Sequence, residues 1–164
     1  MNYFQFKSEI FPTFAERCLI MPAIRTEQET SAREKFRNLK IGNRSQVFVA
    51  ATKGVKATVF YELAEVAGMS EKDLASIINL SARTVSNYRD SKKAFEPVYG
   101  EHLLKLIALY IKGEEIFGSV SEFNYWLNKP LWKSGNKPMD WLITPGGVEM
   151  AMEEVEKIAQ GYPI

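Results

Sequence analysis

The sequence contains one cysteine, Cys18, and one histidine, His102. A single thiol forms no intramolecular disulfide, so packing has to hold the fold, and a reducing cytoplasm is the expected compartment. A single histidine, with no companion carboxylates or cysteines at ligand spacing, offers no protein-built metal centre. No apolar run reaches the roughly 18 residues of a membrane span. The first residues, MNYFQFKSEIF, lack the basic-then-apolar order of a secretory signal. Also missing are a glycine-rich phosphate loop, a nucleophile elbow and a series of alternating strands. These absences argue against a secreted protein, a membrane protein and most enzyme classes. No cofactor is expected.

What remains is enough for one helical domain with an appended arm. At 164 residues the chain can bury about two-thirds of the surface it exposes when unfolded. Its net charge of +1 conceals a division. Residues 1–95 carry 15 Lys or Arg against 10 Asp or Glu, whereas residues 96–164 carry 6 against 10. The front half is therefore at +5 and the back half at −4. A basic front suits a polyanion such as DNA, and an acidic back does not.

The most informative stretch is 69–93, MSEKDLASIINLSARTVSNYRDSKK. Ser70 is placed to cap a short helix with Leu74, Ile77 and Ile78 on one stripe. Asn79-Leu80 breaks the period, and Ser81 caps again. Ala82 to Asp90 reads as a second short helix, with Val85 turned inward. Two capped helices across a tight turn form the helix-turn-helix pattern, whose second helix enters the DNA major groove. Candidate DNA contacts are Ser81, Arg83, Thr84, Asn87, Tyr88, Arg89 and Lys92. Arg pairs with guanine, Asn with adenine, and hydroxyls with phosphates or either base. The competing reading is an ordinary helical hairpin with a solvated outer face.

The fold class expected is all-α, a helix-turn-helix subdomain followed by a helical C-terminal domain. Residues 1–45 read as an arm and linker with little to order it, and within them Thr26 to Arg44 reads as a linker or a loosely held helix. The first twenty residues are either an arm that packs late or on a partner, or lie upstream of a natural start at Met21. Residues 46–117 are assigned to DNA binding and dimerisation. Within them, Val55 to Ala67 reads as one helix with more apolar surface than a small hairpin covers, so a homodimer contact is expected there. After Pro97 comes a long helix that is apolar around most of its circumference, ended by Gly118. Residues 118–164 form the C-terminal region, with a helix capped by Ser119 or Ser121, a short helix from Pro138, and a last helix capped by Thr144 with Pro145 at its first position. Local physics explains Trp126, Trp132 and Trp141 as packing residues.

The order of residues in that region goes beyond local physics. Phe117-Gly118, Trp126-Leu127, Pro130, Gly135, Pro138, Leu142, Thr144, Gly147, Lys157-Ile158 and Gly161 follow one another in a series. That series resembles the Xre/MbcA/ParS-like antitoxin family, over roughly Val55 to Gly161. The resemblance implies an antitoxin of a type II toxin–antitoxin pair, without catalysis of its own. It would repress its operon by binding operator DNA, as a homodimer, and cover the active site of a RES-domain toxin that consumes NAD. Trp126, Lys133, Trp141, Glu153, Lys157, Tyr162 and Ile164 are the residues assigned to the toxin contact. Four positions depart from the family pattern: Asn87 and Tyr88 stand where two arginines are common, His102 stands where arginine is frequent, and Lys157 replaces the commoner arginine. The alternative is a stand-alone helix-turn-helix regulator without a toxin.

Overall fold

The computed structural model describes residues 31–131 and 135–162. Lys133 and Ile164, like Cys18, Met21 and the rest of 1–30, lie outside the described residues. The helices are α1 (Ala32–Lys35), α2 (Arg44–Lys53), α3 (Ala57–Ala67), α4 (Glu71–Ile77), α5 (Ala82–Asp90), α6 (Pro97–Phe117), α7 (Val120–Leu127), α8 (Pro138–Trp141) and α9 (Pro145–Ala159). The described residues are all-α apart from two dipeptide strands, β1 (Val55–Lys56) and β2 (Ala94–Phe95). No helix among the described residues is long and apolar enough to cross a membrane.

Capping residues set most boundaries. Ser70, Ser81, Ser119 and Thr144 each occupy an N-cap and accept a bond from the backbone N–H three residues on. Each bond satisfies a donor that the first helical turn would leave orphaned. Pro97, Pro138 and Pro145 begin α6, α8 and α9, where a missing N–H costs nothing. Gly68 and Gly118 end α3 and α6 in the left-handed region.

The core is built on α6, and α1, α2, α3, α7 and α9 pack around it. Leu103, Leu104, Leu106, Ile107, Leu109 and Tyr110 are all buried, which accounts for the nearly continuous apolar circumference of this helix. At its end Gly113 lets the Phe123 ring lie flat against the helix, because a Cβ there would come within 2.4 Å of the ring. Phe117, Phe123 and Trp126 stack beside it, with centroids 5.4–5.8 Å apart.

Two expectations fail here. The stretch 26–44 does not behave as a linker from Ser31 onward, because Ala32, Phe36 and Ile41 belong to the core. Its few apolar residues are all needed, and the Arg33 backbone N–H is tied to Glu114 on α6 at 3.0 Å. The second failure is at 55–67, which is not one helix. Val55–Lys56 pairs antiparallel with Ala94–Phe95, and the helix starts at Ala57. The apolar surplus of α3 is also covered within the chain: Phe60, Leu63, Ala64, Val66 and Ala67 are buried against neighbours that include α1, α6 and α7. That face is therefore not available for the dimer contact expected of it.

Candidate functional site

α5 is the second helix of the motif, and its orientation follows from a single residue. Val85 is 1 % exposed and fixes the inner side. At 100° per residue the opposite side holds Arg83, Asn87 and Asp90. Arg83 and Asn87 are exposed, and the Arg83 guanidinium has no ion pair among the described residues. Both are free to meet a ligand.

The other candidates on this helix have structural duties. Ser81 Oγ accepts the Thr84 N–H at 3.0 Å and shares a 2.7 Å bond with Thr84 Oγ1, so both hydroxyls serve the cap. Tyr88 lies on Phe95 with ring centroids 5.0 Å apart and is only partly exposed. Burial first, and then the negative charge of the Glu96 carboxylate, push the Tyr88 pKa up. Arg89 sits 4.8 Å above the Tyr61 ring, with its Nε 3.3 Å from Asp90 and a second nitrogen bonded to Ser86 Oγ. Tyr88 and Arg89 thus lie on flanks rather than on the outward face. Ser86 lies on the flank as well, half-buried, its hydroxyl accepting from Arg89 and donating to Asp90.

The turn between α4 and α5 depends on Asn79, which has φ +59°. Its Nδ2 donates to the Ile143 carbonyl at 2.9 Å. One residue earlier, the Leu142 carbonyl accepts from His102 Nε2 at 2.8 Å. Burial holds the His102 pKa below its ordinary value, consistent with a neutral ring that donates from Nε2. The turn between α8 and α9 is therefore pinned to both α6 and the helix-turn-helix.

Beyond α5, the chain turns through Ser91, Lys92 and Lys93 into β2, with Lys92 at φ +52°. In the ribbon, Val55 and Phe95 are paired and buried, and Lys56 and Ala94 are paired and exposed. Gly54, with φ +94°, lies so close to β2 that a Cβ there would be 2.9 Å from that of Ala94. The ribbon thus carries Lys56 one position from Lys93, with Lys92 just before it and Lys53 just before Gly54. All four are exposed, and none has an ion-pair partner among the described residues.

The residues assigned to the toxin contact are scattered by comparison. Trp126 is 5 % exposed and belongs to the aromatic core, so its ring is not a contact surface. Among the described residues its Nε1 has no hydrogen-bond partner. An edge of it lines a depression of about 420 Å³ with Tyr125, Lys129 and Pro130. Trp141 is partly buried against the core. Glu153 and Tyr162 are exposed, and Lys157 is exposed but bonded to Glu154 at 2.5 Å. Glu149, part of the acidic segment, accepts from Lys105 at 2.9 Å and lies 3.6 Å from Arg44. The Lys105 bond holds its carboxyl below the ordinary range. Burial pulls Lys105 down, but Glu101 and Glu149 outweigh it and raise its pKa. The free acids of the last two helices are thus reduced to Asp140, Glu153 and Glu156. A groove of about 740 Å³, floored by Ala108, Ile111 and Met152, runs between α6, α9 and the segment after α1. Among the described residues, no group of His, Cys, Asp and Glu is placed to hold a metal ion.

Residues 49–108 match the family model described as the antitoxin Xre-like helix-turn-helix domain. The match runs from within α2, through the ribbon and both helices of the motif, into the middle of α6. A search of the curated proteins finds no match.

Proposed function

Taking residues 49–108 as an Xre-like antitoxin helix-turn-helix domain, we propose that the chain is the antitoxin of a type II toxin–antitoxin pair and represses its own operon through α5. The observation that carries the DNA-binding half is the pair Arg83 and Asn87, exposed and unengaged on the outward face of the second helix in the family-matched segment. Arg83 has the reach and fork for guanine, and Asn87 suits adenine. Tyr88 and Arg89 hold the helix in place, and Arg89 is within reach of flanking phosphate. Two copies on two half-sites is the usual arrangement for such domains. A homodimer would have to use a surface other than the buried face of α3.

The partner we propose is a RES-domain toxin that consumes NAD, its active site covered by residues 118–164. The support is the ordered series from Phe117 to Gly161, together with exposed Glu153 and Tyr162 at the end of the chain. An acidic, steric plug suits a pocket that binds the phosphates of NAD. The chain does this by occupancy and without chemistry of its own. The stand-alone regulator remains the second reading, since the matched segment lies wholly in the DNA-binding half.

Co-expression with the product of the neighbouring reading frame tests the pair. Rescue of growth and co-purification of a RES-domain protein are expected. Loss of rescue on deleting Thr144–Ile164, with promoter binding kept within a few-fold, would locate the toxin contact. A folded truncation that still rescues would refute that location.

A further inference from the structure

We propose that Lys53, Lys56, Lys92 and Lys93, gathered by the β1–β2 ribbon, form a phosphate-binding clamp that grips the DNA backbone beside the groove entered by α5. The inference rests on the DNA-binding reading above and adds to it a site built from two distant parts of the chain.

The ribbon determines the position. α5 has nine residues and is roughly 13.5 Å long, close to the ~12 Å width of the major groove. A helix that places Arg83 and Asn87 against base edges therefore ends near the sugar-phosphate wall. The next residues are Lys92 and Lys93. Lys56 is carried opposite Ala94 on the exposed side of the ribbon, and Lys53 ends α2 just before Gly54, which closes on Ala94. The Tyr88 ring on Phe95 fixes the ribbon to the helix, so the lysines and the outward face of α5 keep one geometry.

The charges are also uncompensated. Asp90 is paired with Arg89, and none of the four lysines has an ion-pair partner among the described residues. Four ammonium groups with no internal partner suit a polyanion whose charges recur along a wall. Lysine is a compact point charge with rotatable donors, which tolerates any base sequence behind the phosphate. The clamp would therefore add affinity without adding sequence preference.

The test uses the full chain and two duplexes of equal length, one from the region upstream of its own reading frame and one of random sequence. Affinity is measured by fluorescence anisotropy over a range of salt concentrations. The Lys53→Gln/Lys56→Gln/Lys93→Gln variant should bind both duplexes more weakly by the same factor. The slope of log affinity against log salt should flatten by roughly 0.9 per lost phosphate contact, about 2–3 for the set. Lysine-to-arginine changes at the same three positions should restore the slope, which separates charge from folding. Lys92→Gly removes a charge at a position whose backbone favours glycine, so a weaker complex from that variant is not a folding defect. Arg83→Ala/Asn87→Ala should instead abolish the preference for the promoter and leave most of the slope. An unchanged slope in the glutamine variant, with a wild type that binds its promoter selectively, would overturn the clamp alone. A wild type that binds neither duplex would overturn the DNA-binding reading and the clamp with it.

Discussion

The outer face of α5 and the aromatic end of α6–α7 are both rich in residues that recognition commonly uses, but they use them oppositely. On α5, Arg83 and Asn87 have no internal partner, and Val85 and Tyr88 keep the helix in place. At the other end, Trp126, Phe123 and Phe117 are stacked into the core. Residue type is therefore a poor guide to a binding surface until structural duties have been subtracted. The front half retains unengaged functional groups after that subtraction. In the last two helices of the back half, the acids without an ion pair among the described residues are Asp140, Glu153 and Glu156.

The contrast can be broken by mutation, and the largest effect should come from the aromatic end. Trp126→Ala is expected to lose about 3–5 kcal/mol of stability, the usual range for removing a buried aromatic. Trp126→Phe keeps a ring in the stack and removes the unpartnered N–H, so it should cost much less, under about 1.5 kcal/mol. Chemical denaturation of the two variants measures both. Equal losses would mean that the indole nitrogen, not the ring, is what the core requires.

Arg83→Ala and Asn87→Ala should show the opposite profile. Stability should stay within about 0.5 kcal/mol of wild type. Promoter binding should fall by about 1–3 kcal/mol for each lost base contact. A pair of substitutions that leaves promoter affinity intact in a folded protein would remove α5 from the interface.

Acid should act on the junction between the two regions. His102 is held below its ordinary pKa of 6.5 by burial, so the unfolded chain binds a proton more readily than the native one. Stability is then expected to decline as pH falls below about 6.5. Glu149, depressed below its ordinary 4.5 by Lys105, adds a second loss that sets in near and below that value. Thermal unfolding across pH 8 to 4 checks both. His102→Gln should flatten the upper part of the decline and leave the lower part.

The smallest expected effect is also diagnostic. Lys157→Ala breaks only an exposed pair with Glu154 and should leave the melting temperature unchanged. If this variant fails to rescue cells from the toxin, Lys157 touches the partner directly. Full rescue would confine the contact to its neighbours.

Much of this architecture was legible because it is written in short-range signals. Ser70, Ser81, Ser119 and Thr144 act within three residues of themselves, and Pro138 and Pro145 act on their own turn. Outward-facing Arg83 and Asn87 follow from one apolar residue and the helical repeat. The ribbon was not legible, since two dipeptides separated by 37 residues have no periodicity, and Lys53 and Lys56 look like ordinary helix-end charges without it. The inclusion of Ala32, Phe36 and Ile41 in the core was hidden by their polar neighbours. In the C-terminal region, the order of residues pointed to a family while the burial of Trp126 could be read only from packing. A tryptophan reads the same in either role until its neighbours are in place.

Asn79 turns one side chain into a joint between the two regions. Its left-handed backbone would suit glycine equally well, but glycine could not reach Ile143. Asn79→Gly therefore separates geometry from tether: the turn survives and the link is cut. Asn79→Ala strains the turn as well. With the tether in place, a ligand that shifts the start of α9 pulls first on the corner from which α5 departs. The hinge of the DNA-reading motif and the lip of the C-terminal region thus share one fastening, and loosening it should let each region move without the other.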